Sequence, residues 1–341
     1  MKINQLLEQL LVGNNLSKQQ MQDFMKACMS GQLTEAQIGA FLALMRVKGE
    51  TVDELTTAAQ VMMDFAHCID LGDDLIDIVG TGGDGKNTFN ISTVSSFVAA
   101  AAGAKVAKHG GRSSSSSSGS ADLLMHAGFE LNLTDELLKH CMQQTGISFL
   151  FAPHFHQAML NCKNVRQQLG IRTLFNFLGP LINPARVKKQ VFGVFSEVWL
   201  EPFAKVLANL GSTRALVINS RDGMDEASIC APTDIVEYHK GQFKHWSIDP
   251  KNYGCFHSEM NSIVINSPEQ SLRLANEVLN GEPGAARDIV LLNTALALYC
   301  ADIAASFEEA LEKAKIAIDS GEAIKRFDLL NALTQKKTEN D

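Results

Sequence analysis

The 341-residue chain is short of the features that mark several protein classes. It has eight prolines, and its 20% charged residues stand against 45% hydrophobic ones, so it lacks the make-up of a disordered polypeptide and can bury a sizeable core. Its seven cysteines are scattered at 28, 68, 141, 162, 230, 255 and 300, with no CxxC pair and no zinc spacing. They read as reduced thiols of a cytoplasmic protein and not as a disulfide framework. Basic charge is in deficit: the net charge is −8, which argues against a nucleic-acid partner and leaves open an anionic small molecule in a local pocket. No apolar run is long and uncharged enough to span a bilayer, so no membrane partner is expected. The opening MKINQLLEQLLVGNNLS carries an apolar stripe, but Glu8 interrupts it and no cleavage-like site follows, so it reads as a helix and not a signal peptide. There is no G-x-x-x-x-G-K-[ST] run, which excludes a P-loop nucleotide site.

What is present falls into two parts, as the length suggests. Residues 1–70 read as a small all-helical domain. Ser17 with Gln20, Thr34 with Gln37 and Thr51 with Glu54 each fit a capping box, and Met21, Phe24, Met25, Cys28 and Met29 recur at helical spacing. From Leu75 the pattern changes. Strand-like runs at 75–80, 104–108, 148–152, 190–195 and 215–219 alternate with helical patterns, the first at 92–102. That alternation implies an α/β fold with a mostly parallel central sheet flanked by helices. Residues 234–248 read as a hairpin turning at Lys240-Gly241, and the longest helix is expected at 284–303. The stretch 160–185 interrupts the alternation and is expected to pack back on the N-terminal helices. The large domain would thus comprise 71–159 and 186–334, with 335–341 a polar, frayed tail.

Three loops carry chemistry. GTGGDGKNTFNIST, residues 80–93, matches G-x-G-x-x-G through Gly80, Gly82 and Gly85, between a strand and a helix. The dinucleotide reading needs an acid at the end of the next strand, and there stand Lys108 and His109. What remains is an anion loop: glycine backbone N–H groups, a helix N-terminus, and donors from Thr88, Asn90, Ser92 and Thr93. KHGGRSSSSSSGSAD, residues 108–122, also follows a strand, so its loop should lie beside the first, beyond the strand C-termini. Its position before a helix favours a ligand loop over a serine linker. RDGMDEAS, residues 221–228, places Asp225 beside Glu226; alone it is as much an exposed acidic turn as a site for a hard divalent cation. His109, His154 and His156 are candidates for chemistry, but no nucleophile–base pair stands out.

With FLFAPHFHQAM and VRQQLGIRTLFNFLGPLINP between the second and third loops, the ordered set closely resembles the anthranilate phosphoribosyltransferase family over residues 4–333. The resemblance implies a class III phosphoribosyltransferase fold, similar to that of pyrimidine nucleoside phosphorylases, and a homodimer formed through the small domain. It implies the substrates anthranilate and 5-phosphoribosyl 1-diphosphate (PRPP), with Mg2+. Carried over, PRPP would be held by Gly80, Gly83, Asp84, Thr88, Asn90, Ile91, Ser92 and Thr93, and by Lys108, His109, Gly110, Gly111, Arg112, Ser113, Ser114, Ser115, Ser116 and Ser120. Mg2+ would engage Ser92, Asp225 and Glu226, and anthranilate would meet Arg166, with Gly80, His109, Gly111, His156 and Pro180 lining its side. No acid–base dyad is implied. Rival readings are a phosphoribosyltransferase for another aromatic amine, a nucleoside phosphorylase, or a nucleic-acid-binding relative that has lost catalysis.

The chain departs from the family in this second loop. Gly111 stands where the family usually carries an Asn that contacts anthranilate, and Ser114 and Ser117 replace a larger residue and often a Lys. Glycine brings no amide donor, so Gly111→Asn is expected to lower the KM for anthranilate. An unchanged or higher KM in steady-state assays would count against that reading.

Overall fold

The computed structural model describes residues 2–112 and 117–335. Seven strands form one sheet: β1 Leu75–Gly80, β2 Lys105–Gly110, β3 Ile147–Phe151, β4 Lys189–Gly193, β5 Arg214–Ser220, β6 Thr233–His239 and β7 Gln242–Ile248. Their spatial order is β3-β2-β1-β4-β5-β6-β7. The first five run parallel, and β6 and β7 return antiparallel. The chain order reverses beside β1, so the loops after β1 and β2 leave the same edge of the sheet, where open parallel sheets bind ligands.

Alternation along the strands sends side chains to two cores. On β5, Leu216 and Ile218 join a cluster with the helices Ile91–Ala101 and Ala285–Cys300. Ala215 and Val217 instead join a cluster that holds the N-terminal helices. Residues 162–182 bury Cys162, Val165, Leu174, Phe175 and Phe177 in that same cluster. The N-terminal helices Lys18–Met29, Glu35–Lys48 and Val52–Asp64 start as their sequences require: at Ser17, Thr34 and Thr51 both hydrogen bonds of the capping box form. Each such cap contributes about 1 kcal/mol.

The elements differ from expectation at their ends, for local reasons. β2 runs on through His109 and Gly110, which pair with Leu150 and Phe151 of β3; ladder hydrogen bonds override the weak strand preference of glycine. β4 stops at Gly193, whose ladder partner is the terminal Gly80 of β1. The longest helix among the described residues is Ala285–Cys300, shorter than 284–303 because Asp302 takes a left-handed φ of 62°. The hairpin turns where expected: Lys240 and Gly241 have φ of 49° and 82°, the pair of left-handed residues that a type I′ turn needs. Ser113 to Ser116, and 336–341 of the expected tail, lie outside the described residues.

At the far edge of the parallel strands the sheet is pinned by a buried ion pair. Arg214 Nε and Nη2 donate to Glu237 Oε1 at 3.0 and 2.7 Å, and Nη1 donates to Asp302 at 2.6 Å. The guanidinium lies 4.0 Å from the Tyr299 ring, and Trp246 Nε1 donates to the other Glu237 oxygen at 3.1 Å. Removing the cation strands a buried carboxylate, so Arg214→Ala is expected to cost about 3 to 5 kcal/mol, read from the denaturant midpoint.

Candidate active site

A cavity of about 360 Å³ opens beyond the C-terminal ends of β1, β2 and β4. It is lined by Gly80, Gly83, Asp84, Thr88, Asn90 to Thr93, Lys108 to Arg112, Ser120, Arg166, Pro180, Asp225 and Glu226. Of the described residues expected to hold substrate or metal, His156 alone does not line it: it stands behind His109, ring centroids 5.1 Å apart. The third histidine, His154, is also outside the lining.

The first loop is built on left-handed backbone. Gly82, Gly83 and Gly85 have φ of 63°, 74° and 74°, conformations that L side chains rarely adopt. Gly80 and Gly193 are needed for a different reason: a Cβ on either would collide with Asp225. The third loop therefore threads between the ends of β1 and β4. There Asp225 Oδ2 accepts the Gly82 N–H at 2.6 Å, and Glu226 Oε1 accepts the Ser92 N–H at the start of the helix Ile91–Ala101 at 3.0 Å. The two adjacent acids thus engage both halves of the anion loop.

Asn90 joins the first loop to the second. Its side-chain amide donates to Ser118 O at 3.1 Å, and its oxygen accepts from Ser118 Oγ at 2.9 Å and Ser271 Oγ at 2.8 Å. The helix Ser120–His126 begins at Gly119, and the Ala121 N–H donates to Gly111 O at 3.1 Å. Among the described residues a Cβ at Gly111 would meet only Ala152 at 3.8 Å, and its backbone is not left-handed. Arg112 is exposed and its guanidinium touches Met125 Sδ at 3.5 Å.

Lys108 lies beneath the cavity floor. Its Nζ donates to Ile78 O at 2.7 Å and to Ser92 Oγ at 3.4 Å, and burial lowers its pKa. Below it, Asp77 is fully buried. It accepts from the His109 N–H at 3.3 Å and from Asn183 Nδ2 at 2.8 Å, and burial raises its pKa to about 6. Burial drives the imidazole pKa of His109 well down and that of His156 to about 4, so both are neutral, and each has an Nε2 without a partner among the described residues. Burial, then the charge of Asp84, raises Asp225 to about 7; burial, then Asp225 and Asp84, pushes Glu226 well above the usual carboxylate range.

Arg166 comes from the helix Lys163–Leu169 and has no ion-pair partner among the described residues; it lies 5.7 Å from the Phe175 ring. Sequence reasoning passes over Arg172, Phe175 and Asn176, which also line the cavity, and Gly193 beneath it. The only signal for Arg172 is an arginine without a nearby acid, in the turn before Thr173.

The order of loops on a parallel sheet, over a helical bundle, is that of glycosyl-transferring enzymes. Residues 72–324 match the model of the glycosyl transferase family a/b domain, and residues 4–66 match that of its helical bundle domain. The chain is 62% identical over 335 residues to an anthranilate phosphoribosyltransferase of Legionella pneumophila (strain Paris), covering 98% of this chain and 97% of that one. It also resembles the crystal structure of the enzyme of that name from Thermus thermophilus, with a TM-score of 0.90 at 36% identity over 97% of this chain and 99% of that one. The Saccharomyces cerevisiae enzyme solved with PRPP and Mg superposes with a TM-score of 0.89 at 28% identity, 97% of each chain being covered. The chain belongs to the anthranilate phosphoribosyltransferase family.

The raised carboxyl pKa values set a pH dependence. Relative to an ordinary value near 3.8, Asp225 binds its proton more tightly when folded, so its contribution to stability is present at low pH and is lost as pH rises through about 7. The loss begins at about pH 4, so Asp225→Asn is expected to raise the melting temperature of the ligand-free protein more at pH 8 than at pH 5. Equal shifts at both pH values in differential scanning would contradict this.

Proposed function

We propose that this chain transfers the phosphoribosyl group of PRPP to the amine of anthranilate, giving N-(5-phosphoribosyl)anthranilate and diphosphate in tryptophan biosynthesis. The observation that carries the proposal is the meeting, in one cavity, of an anion loop, two adjacent carboxylates and the guanidinium of Arg166. The first fits a diphosphate, the second its metal, the third the carboxylate of the acceptor.

The residues fit Mg2+ by the chemistry of their donors. Asp225 and Glu226 are hard oxygen ligands whose mutual repulsion and burial a cation would relieve. No group of three His, Cys, Asp or Glu among the described residues could cage a metal, which suits an ion that binds few carboxylates and completes its shell with phosphate oxygens and water. Asp225, Glu226 and the Ser92 hydroxyl would hold it, and when bound it would supply positive charge to the leaving diphosphate.

The remaining work falls to the chain. Breaking the bond from the anomeric carbon to diphosphate builds cationic character on the sugar and negative charge on the leaving group. Backbone N–H groups of the first loop, the hydroxyls of Thr88, Ser92 and Thr93 and the charge of Lys108 would stabilise that group. Arg166, Pro180, His109 and Gly111 would orient anthranilate so that its nitrogen faces the anomeric carbon. The nitrogen forms the new bond and loses its proton, which becomes acidic as the bond forms, so no strong base is required. Ser113 to Ser116, expected to help hold PRPP, lie outside the described residues.

The division at about residue 70, with 160–185 completing the helical part, belongs to this proposal. So does a homodimer through the helical part, where Leu11, Val12 and Val47 are exposed. Cytoplasmic location is proposed on the reduced cysteines; no described helix is long and apolar enough to cross a membrane. The test is the loss of anthranilate fluorescence on adding PRPP. Turnover is expected with Mg2+ and not after chelation, and Asp225→Asn is expected to lower it by about 100-fold or more. Turnover of another aromatic amine but not of anthranilate would redirect the acceptor assignment.

A further inference from the structure

A loop that presents N–H groups to an anion has a reverse side. In a planar trans peptide the N–H and the preceding C=O point opposite ways, so N–H groups that face a ligand leave carbonyls facing away, and these need donors of their own. In the first loop one side chain meets them. Arg172 Nη1 donates to Gly83 O at 3.2 Å, and Nη2 donates to Thr81 O at 3.4 Å and also to Gly82 O. Its guanidinium carbon lies 3.8 Å from the Phe195 ring centroid, which fixes the plane of the fork. Gly83 must be glycine for this packing, because a Cβ there would come within 2.6 Å of the Arg172 guanidinium carbon.

The three carbonyls belong to the peptides whose N–H groups are those of Gly82, Gly83 and Asp84. The Gly82 N–H is turned to Asp225, the candidate metal ligand, as the geometry requires. The Gly83 and Asp84 N–H groups have no protein acceptor among the described residues, and both residues line the cavity. Two left-handed glycines in succession would otherwise let these peptides flip at little cost. Arg172 sits outside the loop, in the turn before the helix Leu174–Leu178 that packs with the N-terminal helices.

We propose that Arg172 is a positioning residue: by holding the carbonyls of Thr81, Gly82 and Gly83 against the Phe195 platform, it orients the loop N–H groups toward the diphosphate of PRPP. This rests on the PRPP reading of the site. It assigns Arg172 to the donor substrate through the backbone, and not to the carboxylate of the acceptor, which Arg166 serves.

The experiment is steady-state kinetics of the full chain with both substrates varied, for wild type, Arg172→Met, Arg172→Lys and Phe195→Leu. In Arg172→Met the KM for PRPP is expected to rise roughly 10-fold or more, the effect of losing a charge-assisted hydrogen bond, while the anthranilate KM changes less than about twofold. Arg172→Lys, with three donors but no planar fork, should recover part of the loss, and Phe195→Leu should shift the PRPP KM in the same direction to a smaller degree. A rise in the anthranilate KM instead, or an unchanged PRPP KM in a folded Arg172→Met protein, would overturn the proposal. If Arg172→Met does not fold, Arg172→Lys and Phe195→Leu decide it by the same split between the two KM values. Wild-type protein that fails to turn over PRPP and anthranilate would sink the function reading itself, a result distinct from wild-type activity that the Arg172 variants leave untouched.

Discussion

The site depends on two backbone N–H groups accepted by two consecutive carboxylates. Gly82 and Ser92 belong to opposite halves of one loop, and Asp225 and Glu226 to a loop that follows another strand. Asp225 can sit against the paired ends of β1 and β4 only because Gly80 and Gly193 carry no Cβ. The rest of the cavity is arranged around this junction: Lys108 beneath it, Asn90 tying in the second loop, Arg172 on its outer side. Burial, then repulsion among Asp84, Asp225 and Glu226, raises the pKa of both Asp225 and Glu226. Shifted carboxyl groups of this kind cluster at functional sites.

Much of this arrangement is legible in the residues, and the reasons are physical. Left-handed backbone needs glycine, so GTGGDG announces its own geometry. A capping box satisfies two N–H groups within four residues, so the starts of three N-terminal helices can be read directly. Strand ends are less legible, because ladder partners set them: His109 and Gly110 extend β2 only because Leu150 and Phe151 lie alongside. Least legible are contacts between a side chain and a distant backbone. Arg172 bonds carbonyls about ninety residues away, and no spacing or periodicity records that. Gly193 looks like an ordinary strand residue, and its requirement for glycine appears only when Asp225 is seen against it. His156 is expected to line the site because it sits in FLFAPHFHQAM, a motif of the family, whereas it backs the ring of His109.

Charge is distributed unevenly between surface and interior. The chain is acidic as a whole, yet Lys108, Arg166 and Arg172 gather at one cavity. The same cavity holds Asp84, Asp225 and Glu226, so these basic and acidic groups face each other across it and are not spread over the surface. Burial keeps His109 and His156 neutral, so neither adds to the charge of the three basic side chains.

The hairpin at the end of the sheet has a consequence away from the site. An unpaired strand edge offers a template for other chains, and this sheet has two such edges, β3 and β7. The β3 edge ends at Phe151, where the one-turn helix Ala152–Phe155 begins. β7 is mostly exposed, but it carries Lys244 and His245 in place of a continuous apolar face. A charged strand of that kind resists adding a neighbour from another polypeptide. The same hairpin that extends a parallel sheet with two returning strands therefore also gives that sheet a charged outer edge in place of an apolar one.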